Sequence, residues 1–177
     1  MRKETLTHKI VRLAIFLALG IVLNIIESLI PLPIPIPVPG LKLGLANTMG
    51  LIVLYFYSPK EYIAIGFLRV FFVALFRTGL GSMSFILSFS GWAISTLITL
   101  LIYLFGKASI YGLSIISALS HQVGQILAAI LIYEFPELIN YLSFLLITGG
   151  ISGALVGFIS SKVLGLLSRI FKVKAEV

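Results

Sequence analysis

The sequence predicts an all-α integral membrane protein, a bundle of six transmembrane helices, and three observations lead to this fold class. Hydrophobic residues make up 59% of the 177 residues and charged residues only 11%, and the mean hydropathy is +1.16. The apolar residues form stretches close to the roughly 20 residues that a helix needs to cross a bilayer. Short polar segments holding proline or glycine separate these stretches, as turns between helices do.

The predicted helices form a single domain over residues 1–177, with no polar domain and no internal repeat. The first is too long for a removable signal peptide and should stay in the membrane. The second is short, and Gly149-Gly150 leaves a break in the sixth as an open alternative. We expect the helices at about residues 10–29, 43–57, 62–77, 83–105, 109–133 and 138–167.

The basic residues predict the orientation of the bundle. Six spans place both termini on one side, and ten of the thirteen Lys and Arg residues fall on that side. Cytoplasmic loops carry an excess of Lys and Arg. The sequence therefore predicts a multi-pass protein of the cell membrane with both termini in the cytoplasm.

An alternating proline run lies between the first two helices, from Pro31 to Pro39. Proline fixes φ and lacks an N–H, so this run is neither a helix nor a central strand. An extended path rising about 3.1 Å per residue remains. Two interpretations stay open, a rigid external spacer and a lid over a binding cavity.

Missing residue types narrow the chemistry. There is no cysteine, which excludes disulfides, thiolate metal sites and cysteine nucleophiles. All six acidic residues are glutamates, so the paired aspartates that hold magnesium on a diphosphate are absent, and no glycine-rich phosphate loop with a lysine is present. A metal site would need more ligands than His121 and Glu27. We expect no enzymatic activity, no cofactor and no metal.

Polar residues that fall within or at the ends of apolar helices are the candidate binding residues, because such groups face a cavity or a partner. Counting 1.5 Å per residue places most of them in the outer half of the bundle. The candidate substrate-binding residues are Glu27, Lys42, Asn47, Arg69, Arg77, His121, Gln122 and Gln125.

Each candidate has a structural alternative. Glu27 can pair with Lys42 or reach the interface, and Arg77 can be an interfacial anchor. A single histidine in a helix is more often a core group than a ligand, but His121 has two glutamines within one turn, which favours a polar cavity. Arg69 is the hardest to explain structurally, because its own helix holds no acidic residue to neutralise it.

The charges of the candidates predict an anionic ligand. Lys42, Arg69 and Arg77 stand against Glu27 alone, and an unpaired ion in a low dielectric costs several kcal/mol. A carboxylate or phosphate would balance them. The alternative is that these cations are structural. Aromatic neighbours suggest that the rest of the ligand is apolar or planar, namely Phe67, Phe71, Phe72 and Trp92.

Two pairs of small residues spaced four apart allow close helix approach. Ala14 and Ala18 lie near the cytoplasmic end of the first helix, where a partner protein can dock. Gly153 and Gly157 in the sixth helix are better explained by packing within the bundle.

Four segments resemble the Gx transporter family, also labelled heptaprenyl diphosphate synthase component I and grouped with the substrate-binding S components of energy-coupling factor (ECF) transporters. The most specific is Pro39-Gly-Leu-Lys-Leu-Gly-Leu-Ala-Asn47. The others are residues 18–28, Leu68-Arg-Val70 and His121-Gln-Val-Gly-Gln125.

The resemblance implies a subunit that binds a small substrate from outside, under the loop between helices 1 and 2. It also implies a membrane T component and two ATPases as partners, with Ala14 and Ala18 resembling the alanine motif that docks on the T component. The family label leaves an alternative, a non-catalytic accessory subunit of isoprenoid diphosphate synthesis. A small structural membrane protein without a ligand is a third class.

Overall fold

The computed structural model describes residues 5–29, 46–106 and 108–171, which are helical with no strand among them. The all-α prediction is therefore confirmed for these residues. The helices are α1 Leu6–Leu29, α2 Asn47–Phe56, α3 Pro59–Val73, α4 Met83–Phe105, α5 Ile110–Tyr133 and α6 Leu142–Phe171. A π-helical turn, Ala74–Thr78, extends α3, and a 3₁₀ helix, Pro136–Tyr141, precedes α6.

Serine residues set three helix starts. Ser58 accepts a hydrogen bond from the Lys60 N–H, with Pro59 in the first turn of α3, where its missing N–H costs nothing. Ser82 and Ser109 cap α4 and α5 in the same way. Because of the Ser58 cap, α3 starts three residues earlier than the predicted residue 62.

Four helices are long and apolar enough to cross a membrane: α1, α4, α5, and α6 together with its 3₁₀ turn. The expectation that the second helix is short agrees with α2, whose 10 residues span only about 15 Å. The alternative of a break in the sixth helix is wrong, because α6 runs continuously through Gly149 and Gly150.

Hydrophobic clusters define two ends of the bundle. Phe16 of α1, Ile110 of α5 and Leu164 of α6 share one cluster, and we call the end of the bundle on this side the terminal end. At the opposite end, Leu87 of α4, Leu138 and Leu145 share another. We call this second end the pocket end, because the outer polar cavity described below is lined on this side by residues of α1, α2, α3, α4 and α5.

Candidate functional site: two polar cavities around Arg69

Arg69 is the centre of the polar residues inside the bundle. It lies on α3 with only 8% of its surface exposed. Its Nη2 donates a hydrogen bond of 2.9 Å to Oδ1 of Asn47, at the first residue of α2. Glu27, near the end of α1 and 4% exposed, attracts Arg69 electrostatically. Three helices thus bring one cation, one acid and one amide to the same place.

An outer cavity of about 40 Å³ lies on the pocket-end side of Arg69. It is smaller than the several hundred Å³ typical of metabolite sites, and has room for a few water molecules or one small polar group. Five predicted site residues line it: Glu27, Asn47, Arg69, His121 and Gln125. A ligand the size of a metabolite therefore requires the helices around this cavity to move apart.

An inner cavity of about 20 Å³ shares Ala46, Asn47 and Arg69 with the outer one. Its remaining polar walls are Tyr62, Trp92, Ser95 and Ser117. The indole of Trp92 fits here because α3 carries Gly66, where a Cβ would lie 2.3 Å from the indole nitrogen. Arg69 and Asn47 therefore stand at the border of two cavities.

His121 and Gln125 reach the outer cavity because α4 carries a glycine opposite them. A Cβ on Gly91 would lie 2.8 Å from the His121 ring and 2.8 Å from Cγ of Gln125. Their spacing of four residues puts both on one face of α5, as the sequence predicted.

Three predicted residues lie elsewhere or outside the described chain. Gln122 is buried on another face of α5, where its Cγ would be 3.1 Å from a Cβ on Gly149 of α6. Arg77 is exposed in the π-helical turn and does not line either cavity. Lys42, the proline run and residues 43–45 of the predicted second helix fall outside the described residues.

The predicted surplus of positive charge counts Lys42 and Arg77 beside Arg69. Lys42 lies outside the described residues and Arg77 lines neither cavity, so the described cavities hold Arg69 as their Lys or Arg residue. Among the described residues that line the two cavities, Glu27 is the acidic group that balances Arg69. Of the aromatic neighbours, only Trp92 lines a cavity. Phe67 stacks on Phe71 and is 42% exposed, so it belongs to the outer surface.

Several polar lining residues were missed by sequence reasoning. Asn24 lies one turn before Glu27, and Ser84 and Ser88 are spaced four apart on α4, so helical spacing was a signal. Serine and threonine are common in membrane helices, which hides such positions. The missed residues are Asn24, Tyr62, Thr78, Ser84, Ser88, Ser95 and Ser117.

The small-residue pairs have different surroundings. Ala14 and Ala18 are both exposed on α1. Gly153 and Gly157 are packed against α5, where added Cβ atoms would lie 2.8 Å from Cα of Ile115 and 3.1 Å from Cα of Tyr111. The interpretation of the glycine pair as internal packing agrees with this geometry.

The family of the chain follows from a comparison with protein-family models. The model described as heptaprenyl diphosphate synthase component I matches residues 16–163. The chain belongs to this family. The predicted resemblance to the Gx transporter family is confirmed. Neither the curated proteins nor the solved structures gave a significant match.

The part of the chain that the family model matches contains every residue that lines the two cavities. It runs from Phe16 on α1 to Val163 on α6, and it includes all eight candidate binding residues and Ala18, while Ala14 lies two residues before it. No group of three or more His, Cys, Asp or Glu side chains that could hold a metal occurs among the described residues.

Proposed function

We propose that the chain is the substrate-binding subunit of an ECF-type importer, and that it captures a small, anionic and partly apolar metabolite at its pocket end. The observation that carries the proposal is the buried Arg69 at the border of two polar cavities, hydrogen-bonded to Asn47 and attracted by Glu27. Buried ionisable groups at membrane depth are costly, and they typically mark substrate paths. No enzymatic role is part of this proposal.

The exposed face of α1 is an argument for a partner protein that docks there. Only 17% of the most apolar stretch of α1 is buried within the bundle, whereas 44% of the corresponding stretch of α5 is buried. Ala14 and Ala18 lie on this open face, and small residues there let another helix approach closely. We propose that a T component, carrying two ATPase subunits, docks on this face.

Co-purification with candidate partners tests the proposal. Ala18→Trp should abolish recovery of the T component and ATPases, because the indole prevents close helix approach. Ala154→Trp is the matched control, since Ala154 is also an exposed alanine, on α6. Equal recovery of partners with both variants would mean that docking uses another face.

A second function follows from the family description, a non-catalytic membrane accessory subunit of heptaprenyl diphosphate synthase. The same purification distinguishes the two. A soluble prenyl synthase chain recovered in place of ATPases would favour the accessory role.

Single-cysteine labelling tests the proposed orientation, because the chain has no cysteine. Lys60 is exposed near the terminal end, and Leu80 is 52% exposed in the turn before α4 at the pocket end. In sealed cells, an impermeant maleimide should label Leu80→Cys and leave Lys60→Cys unlabelled. The reverse pattern would place the pocket end in the cytoplasm.

A further inference from the structure

The inner cavity differs from the outer one in its charge. Arg69 is the charged residue among its described walls, and Glu27 lines only the outer cavity. Tyr62, Trp92 and Ser117 add groups that can donate hydrogen bonds. The inner cavity therefore presents positive charge and donors, whereas the outer cavity also presents a carboxylate.

Arg69 has unused hydrogen-bonding capacity beside the inner cavity. Arg69 is 92% buried, and its Nε has no hydrogen-bond partner among the described residues. The buried hydroxyls of Thr96 and Thr99 lie beside Tyr62 and do not line the cavity. Unsatisfied buried polar groups are costly, so this region is suited to a guest that accepts hydrogen bonds.

The size of the inner cavity limits that guest. Its volume of about 20 Å³ corresponds to one or two water-sized groups, since one water needs roughly 10–15 Å³. A carboxylate fits this volume and matches the planar fork of an arginine. A tetrahedral phosphoryl group is larger and fits less well.

We propose that the inner cavity is a subsite for the carboxylate of the ligand, and that a donor group on the same ligand, such as an ammonium, faces Glu27 in the outer cavity. Arg69 is then the partner of the carboxylate, and Ser117 donates a hydrogen bond to it. The ligand class is a small amino acid-like metabolite whose carboxylate, the anionic group of the proposed function, enters first, which narrows the ligand of that function from a net anion to a zwitterion. This inference rests on the proposed substrate-binding function.

Trp92 provides a direct reporter, because it is the single tryptophan of the chain and lines the inner cavity. The full-length protein in nanodiscs is titrated with propionate, propionamide and β-alanine while Trp92 emission is recorded. We expect a saturable change with propionate, none with the neutral amide, and half-saturation by β-alanine at a concentration about tenfold lower than by propionate.

Substitutions test which residues bind the carboxylate of the ligand and which residue binds its donor group. Arg69→Gln should remove the response to both acids, and Ser117→Ala should weaken it about tenfold, as for a hydrogen bond to a charged group. Glu27→Gln should bind propionate but lose the preference for β-alanine. Ser160→Ala, a buried serine outside both cavities, should behave like the parent.

The outcomes separate this inference from the proposed function. Equal responses to propionate and propionamide, no saturable response to either acid, or unchanged responses in Ser117→Ala would overturn the carboxylate subsite. Recovery of the T component and ATPases by the same preparation would leave the importer function standing. Loss of those partners with an intact propionate response would overturn the importer function instead.

Discussion

The two halves of the bundle are held together by different contacts. In the half formed by α4, α5 and α6, backbone packs on backbone: a Cβ on Gly124 would lie 2.8 Å from the carbonyl oxygen of Ser90, and one on Gly153 would lie 2.8 Å from Cα of Ile115. In the half formed by α1, α2 and α3, side chains make the contacts: Phe16, Ile52 and Ile65 share an apolar cluster, and Arg69 donates a hydrogen bond to Asn47 beside the two cavities.

This difference explains where the pocket lies. Helices in backbone contact leave no room between them, so the second half contributes a fixed wall through His121 and Gln125. The first half contributes the charged groups, and it meets that wall mainly through side chains. We expect ligand-dependent movement to occur in α1, α2 and α3, because their contacts can rearrange without separating packed backbones.

The largest expected effect on stability comes from disrupting the close contact between α5 and α6. Gly153→Leu places a side chain against the backbone of α5, and overpacking of this kind typically costs about 1–3 kcal/mol or more. We expect a thermal midpoint lowered by several degrees, or loss of a single peak in size-exclusion chromatography. Gly165→Leu is the control on the same helix, since a Cβ there meets nothing within 4 Å. Equal stability of both variants would contradict the packing argument.

An intermediate effect on stability is expected in the half formed by α1, α2 and α3. Glu27→Gln and Arg69→Gln should each lower the free energy of unfolding. The double variant should lose less stability than the two single losses added together, with a coupling free energy of about 1–3 kcal/mol. Thermal midpoints of the four proteins measure this cycle. The pair Arg69→Gln and Ser160→Ala is the control and should be additive. Additivity of the first pair would mean that Glu27 and Arg69 do not stabilise each other.

The smallest expected effect lies at the terminal end, near the starts of α1 and α3. Lys9 and Ser58 both donate hydrogen bonds to Glu61. Burial raises the pKa of Glu61, but these hydrogen bonds and the Lys9 charge lower it more, so the net pKa is below its ordinary value of 4.5. The pair is partly exposed, with 35% and 18% of the side chains accessible, so we expect at most about 1 kcal/mol.

The sign of this effect sets a pH test. A lowered folded-state pKa gives stabilisation that is present above pH 4.5 and is lost as the pH falls through the lower folded-state value. Glu61→Gln should therefore lower the thermal midpoint slightly at pH 7, and by less at pH 3. Glu137→Gln, an exposed glutamate at the opposite end, serves as control. A difference as large at pH 3 as at pH 7 would mean that the Glu61 carboxylate charge is not its source.

The sequence by itself determined the membrane class, the all-helical fold and most helix positions, because apolar runs of bilayer length act locally. It also identified five of the residues that line the outer cavity, since buried charges in apolar helices have few alternatives. Only the tertiary structure decided that Gln122 faces α6, that Arg77 lies on the surface and that Arg69 borders a second cavity. Which face of a helix meets which neighbour depends on where glycines such as Gly66, Gly91 and Gly149 let helices and side chains approach, and that pairing is not readable from one chain segment alone.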